Sequence, residues 1–376
     1  MSHNWRMPPS ATPKSVAMRH RFGRLGLAIV LAASFSALLA GCADTRYYWQ
    51  SVSGHLQLMQ ASRPVTRWLE DPDAPQPLKE RLVLSQRIRD FAVAELALPD
   101  NASYRRYADL GRTAVVWNVV AAPELSLRLN TWCFPLLGCV SYRGYFDEAA
   151  ARREAQQLKD QGLEVAVYGV PAYSTLGWMN WAGGDPLLNT FIEYPEGELA
   201  RLIFHELAHQ VLYARDDTMF NESFATAVER LGGALWLSGP GSDAARAQFA
   251  QIDTRRREFR ALVIATRNAL EAIYGRSAAV DAAGSRAQKM AAMQDFRARY
   301  AALKQGWGGY SGYDSWVAGA NNATLGAQAA YDELVPQFEA LFKRQGRDWH
   351  AFYDAARRIS DLPTAERRRA LAVSGD

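Results

Sequence analysis

Several patterns that define common protein classes are missing from this chain of 376 residues. Low-complexity tracts and fixed-period repeats are not evident, which argues against a repeat architecture. The apolar run from Leu25 to Ala40 holds 16 residues, fewer than the ~20 that a membrane-spanning helix needs. Histidine is scarce, with six in the chain, so an H-E-x-x-H pattern should arise by chance in well under about one per cent of such sequences.

The N-terminal segment is typical of an export signal. Residues 1–24 carry five basic side chains and no acidic one, and a basic stretch followed by a short apolar run is the pattern of a secretory signal. The run ends in Leu39-Ala40-Gly41-Cys42, which resembles the lipobox of bacterial lipoproteins. This resemblance implies that residues 1–41 are removed and that Cys42 is lipidated. In that family, Asp after the cysteine is the usual signal for retention in the inner membrane. Here Ala43 follows Cys42, so the resemblance favours the outer membrane, facing the periplasm. The alternative is an ordinary signal peptide with a fortuitous cysteine.

Removal of residues 1–41 also removes the apparent basicity of the chain. The whole sequence has 43 Lys and Arg against 39 Asp and Glu, whereas residues 42–376 have 38 against 39. This balance gives no reason to expect a nucleic-acid partner. The remaining 335 residues are many for one domain, but 49% hydrophobic content allows a sizeable core. We therefore expect one domain over residues 42–376.

The segment from His205 to His209 carries the H-E-x-x-H pattern. Residues four apart lie on one face of an α-helix, so His205 and His209 can offer two imidazole nitrogens to one metal ion. Glu206 is rotated by about a hundred degrees from His205 and can face a water at the metal without binding the metal itself. A helix with two incidental histidines is the alternative.

A second predicted helix begins at Asn221, twelve residues after His209. A catalytic zinc needs three protein ligands and one open position. Glu222, on a helix that returns antiparallel to the first, is the candidate for the third ligand. Glu229 lies seven residues further along the same face and can support a ligating histidine by a hydrogen bond. Alternatively, Glu222 is an N-terminal helix charge that the helix dipole favours.

Helix and strand patterns are interspersed along the rest of the chain. Helices are predicted at residues 47–61, 78–96, 147–161, 242–305 with a break near Gly275 and Gly284, 324–344 and 348–359. Strands are predicted at residues 113–120, 125–132, 165–170 and 190–194. These elements indicate an α+β class, a mainly helical fold with a small mixed β-sheet beside the active-site helix.

Cys133 and Cys139 are the only cysteines besides Cys42. They close a small loop that contains Pro and Gly, and in an oxidising compartment such a pair favours a disulfide. A metal site at these cysteines would need further ligands nearby, and none is visible in the sequence.

Two sets of motifs resemble known peptidases. His205-Glu206-Leu-Ala-His209-Gln and Asn221-Glu222-Ser-Phe-Ala resemble the gluzincin metallopeptidases, and look closest to zinc aminopeptidases with H-E-L-A-H-Q and N-E-G-F-A. Further motifs look like a bacterial family of predicted lipoprotein aminopeptidases: Trp132-Cys-Phe-Pro, Tyr142-Arg-Gly-Tyr-Phe, Ala172-Tyr-Ser-Thr-Leu-Gly-Trp and Asn321-Asn-Ala. The resemblance implies a zincin-like fold, Zn²⁺ held by His205, His209 and Glu222, and Glu206 as general base.

The chain departs from the zinc aminopeptidase pattern at two places. The spacer between His209 and Glu222 is shorter, and the exopeptidase motif G-x-M-E-N is missing. Gly177-Trp-Met-Asn-Trp181 has no glutamate to hold a free amino group. The candidates for substrate binding are Glu193 and Asn322, with Asp185 as a further acid. The candidate for stabilising the oxyanion is Tyr313, or failing that Tyr310, although ordinary loop packing is an alternative for both.

The sequence therefore predicts a zinc metallopeptidase that acts on a peptide substrate and is attached to the membrane by an N-terminal lipid. The resemblance favours an aminopeptidase, and the missing motif keeps a zinc endopeptidase open. A third possibility is a non-catalytic envelope lipoprotein, an assembly or binding factor with a structural metal. Glu206 argues against that third class, because a structural metal site has no use for a general base.

Overall fold

The computed structural model describes residues 47, 49–134, 138–172, 175, 183–276, 281–329 and 334–372. The chain divides into residues Met1–Gly54 and His55–Asp376, and the second unit holds the β-strands and the predicted metal site. The predicted signal segment and Cys42, the predicted lipidation site, lie outside the described residues. Among the residues described, no helix combines the length and the apolar character that crossing a bilayer requires.

The fold is mainly helical, and several helices begin at a side-chain cap. The side chains of Asp147, Asp217 and Asp348 each accept a hydrogen bond from the N–H three residues later, which satisfies a free donor of the first turn. The helices are α1 (residues 49–61), α2 (Val65–Glu70), α3 (Gln76–Ala94), α4 (Glu148–Asp160), α5 (Glu196–Ala208), α6 (Thr218–Ser238), α7 (Asp243–Gly275), α8 (Ala282–Gly306), α9 (Asp314–Ala318), α10 (Asn322–Ala329), α11 (Val335–Arg344), α12 (Trp349–Ser360) and α13 (Thr364–Ala372).

The strands form small sheets around this helical body. They are β1 (Arg63–Pro64), β2 (Arg106–Ala108), β3 (Val116–Pro123), β4 (Trp132–Phe134), β5 (Gly138–Val140), β6 (Arg143–Tyr145), β7 (Leu163–Val170) and β8 (Leu187–Leu188). One sheet has the order β1-β2-β8 and is mixed, because β1 pairs antiparallel and β8 parallel with β2. The second sheet, β6-β3-β7, is antiparallel, and β4 and β5 form a separate hairpin. These elements confirm the expected α+β, mainly helical class.

The largest hydrophobic core surrounds α5 and α6. On α5, Leu199, Ile203 and Phe204 are completely buried, and the ring of Phe204 lies 6.0 Å from that of Phe91 on α3. On α6, Phe224 contacts the ring of Phe338 on α11 at 5.6 Å. Because both helices are held by close packing on several sides, the side chains that they direct at each other are fixed in place.

A second core cluster joins α7, α8, α9 and α10. It contains Phe259, Phe296 and Leu325, with Tyr313 and Trp316 packed against it. The long predicted helical stretch 242–305 is therefore confirmed as two helices, α7 and α8, that pack on each other. The disulfide between Cys133 and Cys139 is also confirmed, and the two residues face each other across the β4–β5 hairpin.

Two predicted strands are wrong. Residues 126–131 have no regular structure and only Trp132 belongs to β4, because Ser126 N–H bonds to Pro123 O in a turn and the Ser126 hydroxyl accepts from Arg128 N–H. Residues 190–194 form successive turns, with local bonds such as that from Ile192 N–H to Leu188 O. In both places, local hydrogen bonds occupy donors that a strand would direct at a neighbour.

The predicted helix over residues 324–344 consists of α10 and α11, two separate helices. Leu334 lies in a turn before α11, and Pro336 stands in the first turn of that helix. Proline has no backbone N–H and its ring excludes a preceding helical turn, so it fits the start of a helix and not its interior.

Candidate metal centre

Helix α5 carries His205 and Glu206 in its last turn, and His209 directly follows the helix. His209 keeps a helical backbone, with φ −59° and ψ −20°, and its N–H donates to His205 O at 3.3 Å. The helical spacing therefore extends to His209, and both imidazole rings lie on one face. Their Nε2 atoms are 3.2 Å apart.

The connection from α5 to α6 brings Glu222 opposite these histidines. Asn221 holds the connection closed, because its side chain accepts from Ala214 N–H at 2.7 Å and donates to Ala214 O at 2.8 Å. Asp217 caps α6 and pairs with Arg367 at 3.1 Å. The short spacer between His209 and Glu222 is thus a loop that these hydrogen bonds and this ion pair hold in place.

The three predicted ligands converge in the fold. Glu222 Oε2 lies 3.4 Å from His205 Nε2 and 3.8 Å from His209 Nε2. One ligand atom from each residue lies within 4.8 Å of the others. For a tetrahedral zinc with bonds of about 2.0–2.1 Å, neighbouring ligand atoms are about 3.3 Å apart. The spacing and the donor types of His205, His209 and Glu222 therefore fit a metal ion.

Electrostatics around the three residues also suit a cation. Burial lowers the pKa of His209 to about 4, which leaves its imidazole neutral and able to bind a metal. Burial raises the pKa of Glu222, but the neighbouring His209 and His205 lower it by a larger amount. The net shift is therefore downward. For His205, burial lowers the pKa, while hydrogen bonds to Glu222 and Glu229 raise it well above its ordinary value. A metal ion here therefore competes with a proton on His205.

Glu206 stands beside this group without being part of the convergent set. Burial raises its pKa to about 7. The positive charge of His205 opposes this shift, whereas the carboxylates of Glu222 and Asp185 add to it. A carboxylate whose pKa lies near neutrality can both accept and donate a proton at physiological pH.

Glu229 supports His205 from behind, in the contact that its spacing on α6 predicts. Its Oε2 lies 3.0 Å from His205 Nδ1, so the Nε2 atom of the same ring is left for the metal. Its Oε1 lies 2.5 Å from the guanidinium of Arg201. Sequence reasoning missed Arg201, because a lone arginine in an apolar helix reads as surface charge until its partner on another helix is known.

Comparison with known protein families finds a match for this chain. A family model described as "Putative aminopeptidase" matches residues 46–371. The chain belongs to this family. Neither the curated proteins nor the solved structures contain a match. Membership supports a peptidase function in general, and the matched range includes every residue of the convergent group.

Tyr313, Glu193 and Asn322 are the other predicted site residues of this family member. Tyr313 stacks on Phe259 at 4.0 Å between ring centroids and also packs near Trp307 and Tyr310. Its described ring contacts are thus in the α7–α8 cluster and not with the metal ligands, so an oxyanion role stays a prediction. Glu193 is exposed in the turns after β8.

Asn322 is completely buried at the start of α10. Its side-chain amide donates to Pro123 O at 3.0 Å and Glu124 O at 2.7 Å, and its oxygen accepts from Tyr274 at 2.8 Å. These bonds occupy both ends of the amide and attach α10 to β3. These contacts hold the fold together, and the substrate-binding role that the sequence suggested stays a prediction.

Gln210 directly follows His209 and connects the end of α5 to residues about a hundred positions earlier. Its oxygen accepts from Asn101 at 2.7 Å, and its amide donates to the Ser103 hydroxyl at 3.1 Å. The same hydroxyl accepts from Asp185 N–H at 3.1 Å. The H-E-L-A-H-Q motif could have indicated a role for Gln210, but its partners could not be read from the sequence.

Tyr104 is a second residue that sequence reasoning missed. It has a left-handed backbone, φ +63°, which is strained for a bulky side chain. Its N–H donates to Asp185 O at 2.6 Å, and its buried hydroxyl has no hydrogen-bond partner among the residues that the structure describes. Burial and the charges of Glu206 and Asp185 raise the pKa of this phenol well above its ordinary value. No sequence pattern marks such a position.

Proposed function

We propose that this protein is a zinc-dependent peptidase, and specifically an aminopeptidase. The observation that carries the proposal is the convergence of His205 Nε2, His209 Nε2 and Glu222 Oε2 on one point, with Glu206 beside them. Family membership supports peptide-bond hydrolysis. Two imidazoles and one carboxylate are a donor set typical of catalytic zinc.

His205, His209 and Glu222 would hold the ion. A zinc ion bound by them supplies a Lewis acid that polarises the scissile carbonyl and makes a water more acidic. Glu206 accepts the proton of the attacking water and delivers it to the amine that leaves when the C–N bond breaks. Glu229 holds the His205 ring in the tautomer that presents Nε2, through its 3.0 Å contact with Nδ1.

The aminopeptidase assignment rests on the description of the family and on the aminopeptidase-like motifs around His205 and Glu222. The segment Gly177–Trp181, where an exopeptidase motif would stand, lies outside the described residues. Asp185 is completely buried and close enough to Glu206 to affect its pKa. Of the two acids considered for the substrate amino group, Asp185 is thus buried and acts on the charge of Glu206, whereas Glu193 is exposed.

We further propose that the protein is a lipoprotein of the bacterial envelope. It is anchored through Cys42 in the outer membrane and faces the periplasm. The lipobox-like sequence before Cys42 supports the anchor. The Cys133–Cys139 disulfide supports an oxidising compartment, since cytosolic proteins seldom keep structural disulfides. The substrate would then be a peptide of the periplasm.

Replacement of Glu206 with Gln tests the mechanism. The amide keeps the size of the side chain but cannot accept a proton, so we expect peptide hydrolysis to fall by about 10²- to 10⁴-fold. Zinc content, measured by elemental analysis, and the circular dichroism spectrum should be unchanged. Glu80→Gln, at an exposed position of α3, is the matched control. Full activity of Glu206→Gln would refute the mechanism.

An assay of matched peptides with free and blocked N-termini separates the function classes. An aminopeptidase should cleave only the free peptides, because the free amino group is part of the substrate. Cleavage of blocked peptides at internal bonds would identify an endopeptidase instead. A protein that binds zinc and cleaves neither set would be the non-catalytic binding factor.

A further inference from the structure

Arg201 is a buried cation that pairs with Glu229, the carboxylate that contacts the predicted ligand His205. It stands on α5, four residues before His205, and is 6% exposed. Its guanidinium lies 2.5 Å from Glu229 Oε1, and the other oxygen of that carboxylate lies 3.0 Å from His205 Nδ1. The three side chains thus form an unbroken series of contacts between α5 and α6.

We propose that Arg201 is a positioning residue for the metal site. It holds the Glu229 carboxylate in place, and that carboxylate in turn orients the His205 ring. This inference rests on the proposed function, because it assigns Arg201 a role toward the ion that His205 would bind. A carboxylate with one oxygen on an imidazole can rotate about its last bond. An arginine on the second oxygen prevents that rotation, since each oxygen is then committed to a different partner.

The surroundings of Arg201 are shaped to hold it in this place. Gly233 on α6 faces its stem, and a Cβ at that position would lie 2.6 Å from Arg201 Cγ and 3.2 Å from Cδ. The guanidinium also lies over the ring of Phe249 on α7, 5.4 Å from the centroid. A helix glycine is unfavourable for helix stability, so the room that Gly233 leaves for Arg201 is a reason for its presence.

The charge of Arg201 alone does not account for this arrangement. Burial of an arginine is costly unless it is paired, and a replacement of the whole pair by apolar side chains would avoid that cost. A purely structural pair also has no need of contact with His205. The position of Glu229, shared between Arg201 and His205, connects the pair to the proposed site.

The test compares Arg201→Met, Arg201→Lys and Gly233→Ala with the wild type. Zinc affinity is measured by competition with a chromogenic chelator, and the ¹⁵N resonances of His205 are recorded in the metal-free protein labelled at histidine. We expect about tenfold weaker zinc binding in Arg201→Met, and a shifted Nδ1 resonance of His205. Arg201→Lys keeps the charge but not the planar fork, so it should restore affinity only in part. Gly233→Ala should shift the same resonance by displacing Arg201.

Arg367→Met is the matched control. It also removes a buried arginine from a carboxylate, Asp217 at 3.1 Å, but the described side-chain contacts of Asp217 include none of the predicted metal ligands. We expect it to lower the free energy of unfolding and to leave the His205 resonances in place. If the two methionine variants change the His205 resonances and the zinc affinity equally, Arg201 is only a structural residue and the proposal is wrong.

A double-mutant cycle with Glu229→Gln gives the second decisive result. If Arg201 acts through Glu229, Arg201→Met should have little further effect on zinc affinity in the Glu229→Gln background. Additive losses would refute the proposal. The NMR arm needs no metal, so a wild type that binds no zinc would refute the proposed function, while an unshifted His205 resonance in Arg201→Met would refute the role of Arg201.

Discussion

Glu206 and Glu229 are two carboxylates of one site whose surroundings shift their pKa values in opposite directions. Burial dominates at Glu206 and raises its pKa to about 7. Burial acts in the same direction at Glu229, but Arg201 and His205 outweigh it and lower the pKa to about 2. One side chain is thereby suited to exchange protons, and the other stays charged and holds a histidine.

The pKa of Glu229 predicts a loss of stability in acid. Because the folded pKa of about 2 is below the ordinary value of 4.5, the ionised carboxylate stabilises the fold at pH values above about 4.5. That contribution, on the order of 3 kcal/mol, should be lost as the pH falls from about 4.5 to about 2. Urea unfolding of the metal-free protein between pH 7 and pH 2 measures it.

Glu229→Gln is the variant for this experiment. It should be less stable than the wild type at pH 6, and the difference should shrink toward pH 2, where about half of the wild-type carboxylate is protonated. The exposed Glu80→Gln variant should follow the wild-type curve. A constant difference between Glu229→Gln and the wild type over the whole range would contradict the assignment.

At the scale of elements, the α5–α6 pair is held together at its connecting loop. Asn221 closes the loop on Ala214, and the β4–β5 hairpin docks on it from outside. Cys139 N–H donates to Asp216 Oδ1 at 2.6 Å. Gly138 stands at φ +77°, and a Cβ there would be 2.0 Å from the same oxygen. Only glycine lets the hairpin approach the loop so closely.

The disulfide of this hairpin should contribute measurably to stability. It joins residues six positions apart, and closing a loop of this size restricts the unfolded chain by about 2 kcal/mol. We expect the double variant Cys133→Ser/Cys139→Ser to have a free energy of unfolding lower by about that amount, measured by urea denaturation. Reductant should lower the free energy of unfolding of the wild type to the value of the variant. It should leave the free energy of unfolding of the variant unchanged. A reductant effect on the variant would show that another cause is acting.

At the scale of the whole molecule, the lipid anchor that we propose at Cys42 predicts the cell fraction in which the protein is found. We expect the wild type in the membrane fraction of the producing cells and Cys42→Ser in the soluble fraction, because the serine cannot carry the lipid. Cell fractionation with immunoblotting measures the distribution. The Cys133→Ser/Cys139→Ser variant, which keeps Cys42, should stay with the membrane. Equal distribution of the wild type and Cys42→Ser would refute the anchor.

The sequence determined those features that depend on neighbouring residues. His205 and His209 share a face because helical geometry separates residues four apart by about one turn, and the caps at Asp147 and Asp348 act within three residues. The disulfide could be predicted because Cys133 and Cys139 are close in sequence and no other pairing partner lies nearby. The pairing of Glu222 and Glu229 could be predicted for the same reason, because residues seven positions apart lie on one face of a helix.

Tertiary structure decided the partners that come from distant parts of the chain. Arg201 meets Glu229, Gln210 meets Ser103, and Tyr313 stacks on Phe259 in the other core. Helical and strand periodicity describe which face of an element is buried, but they do not say which element covers it. The packing of α5 on α6 therefore selects the contacts of the metal centre, while the spacing of the histidines and glutamates only makes the centre possible.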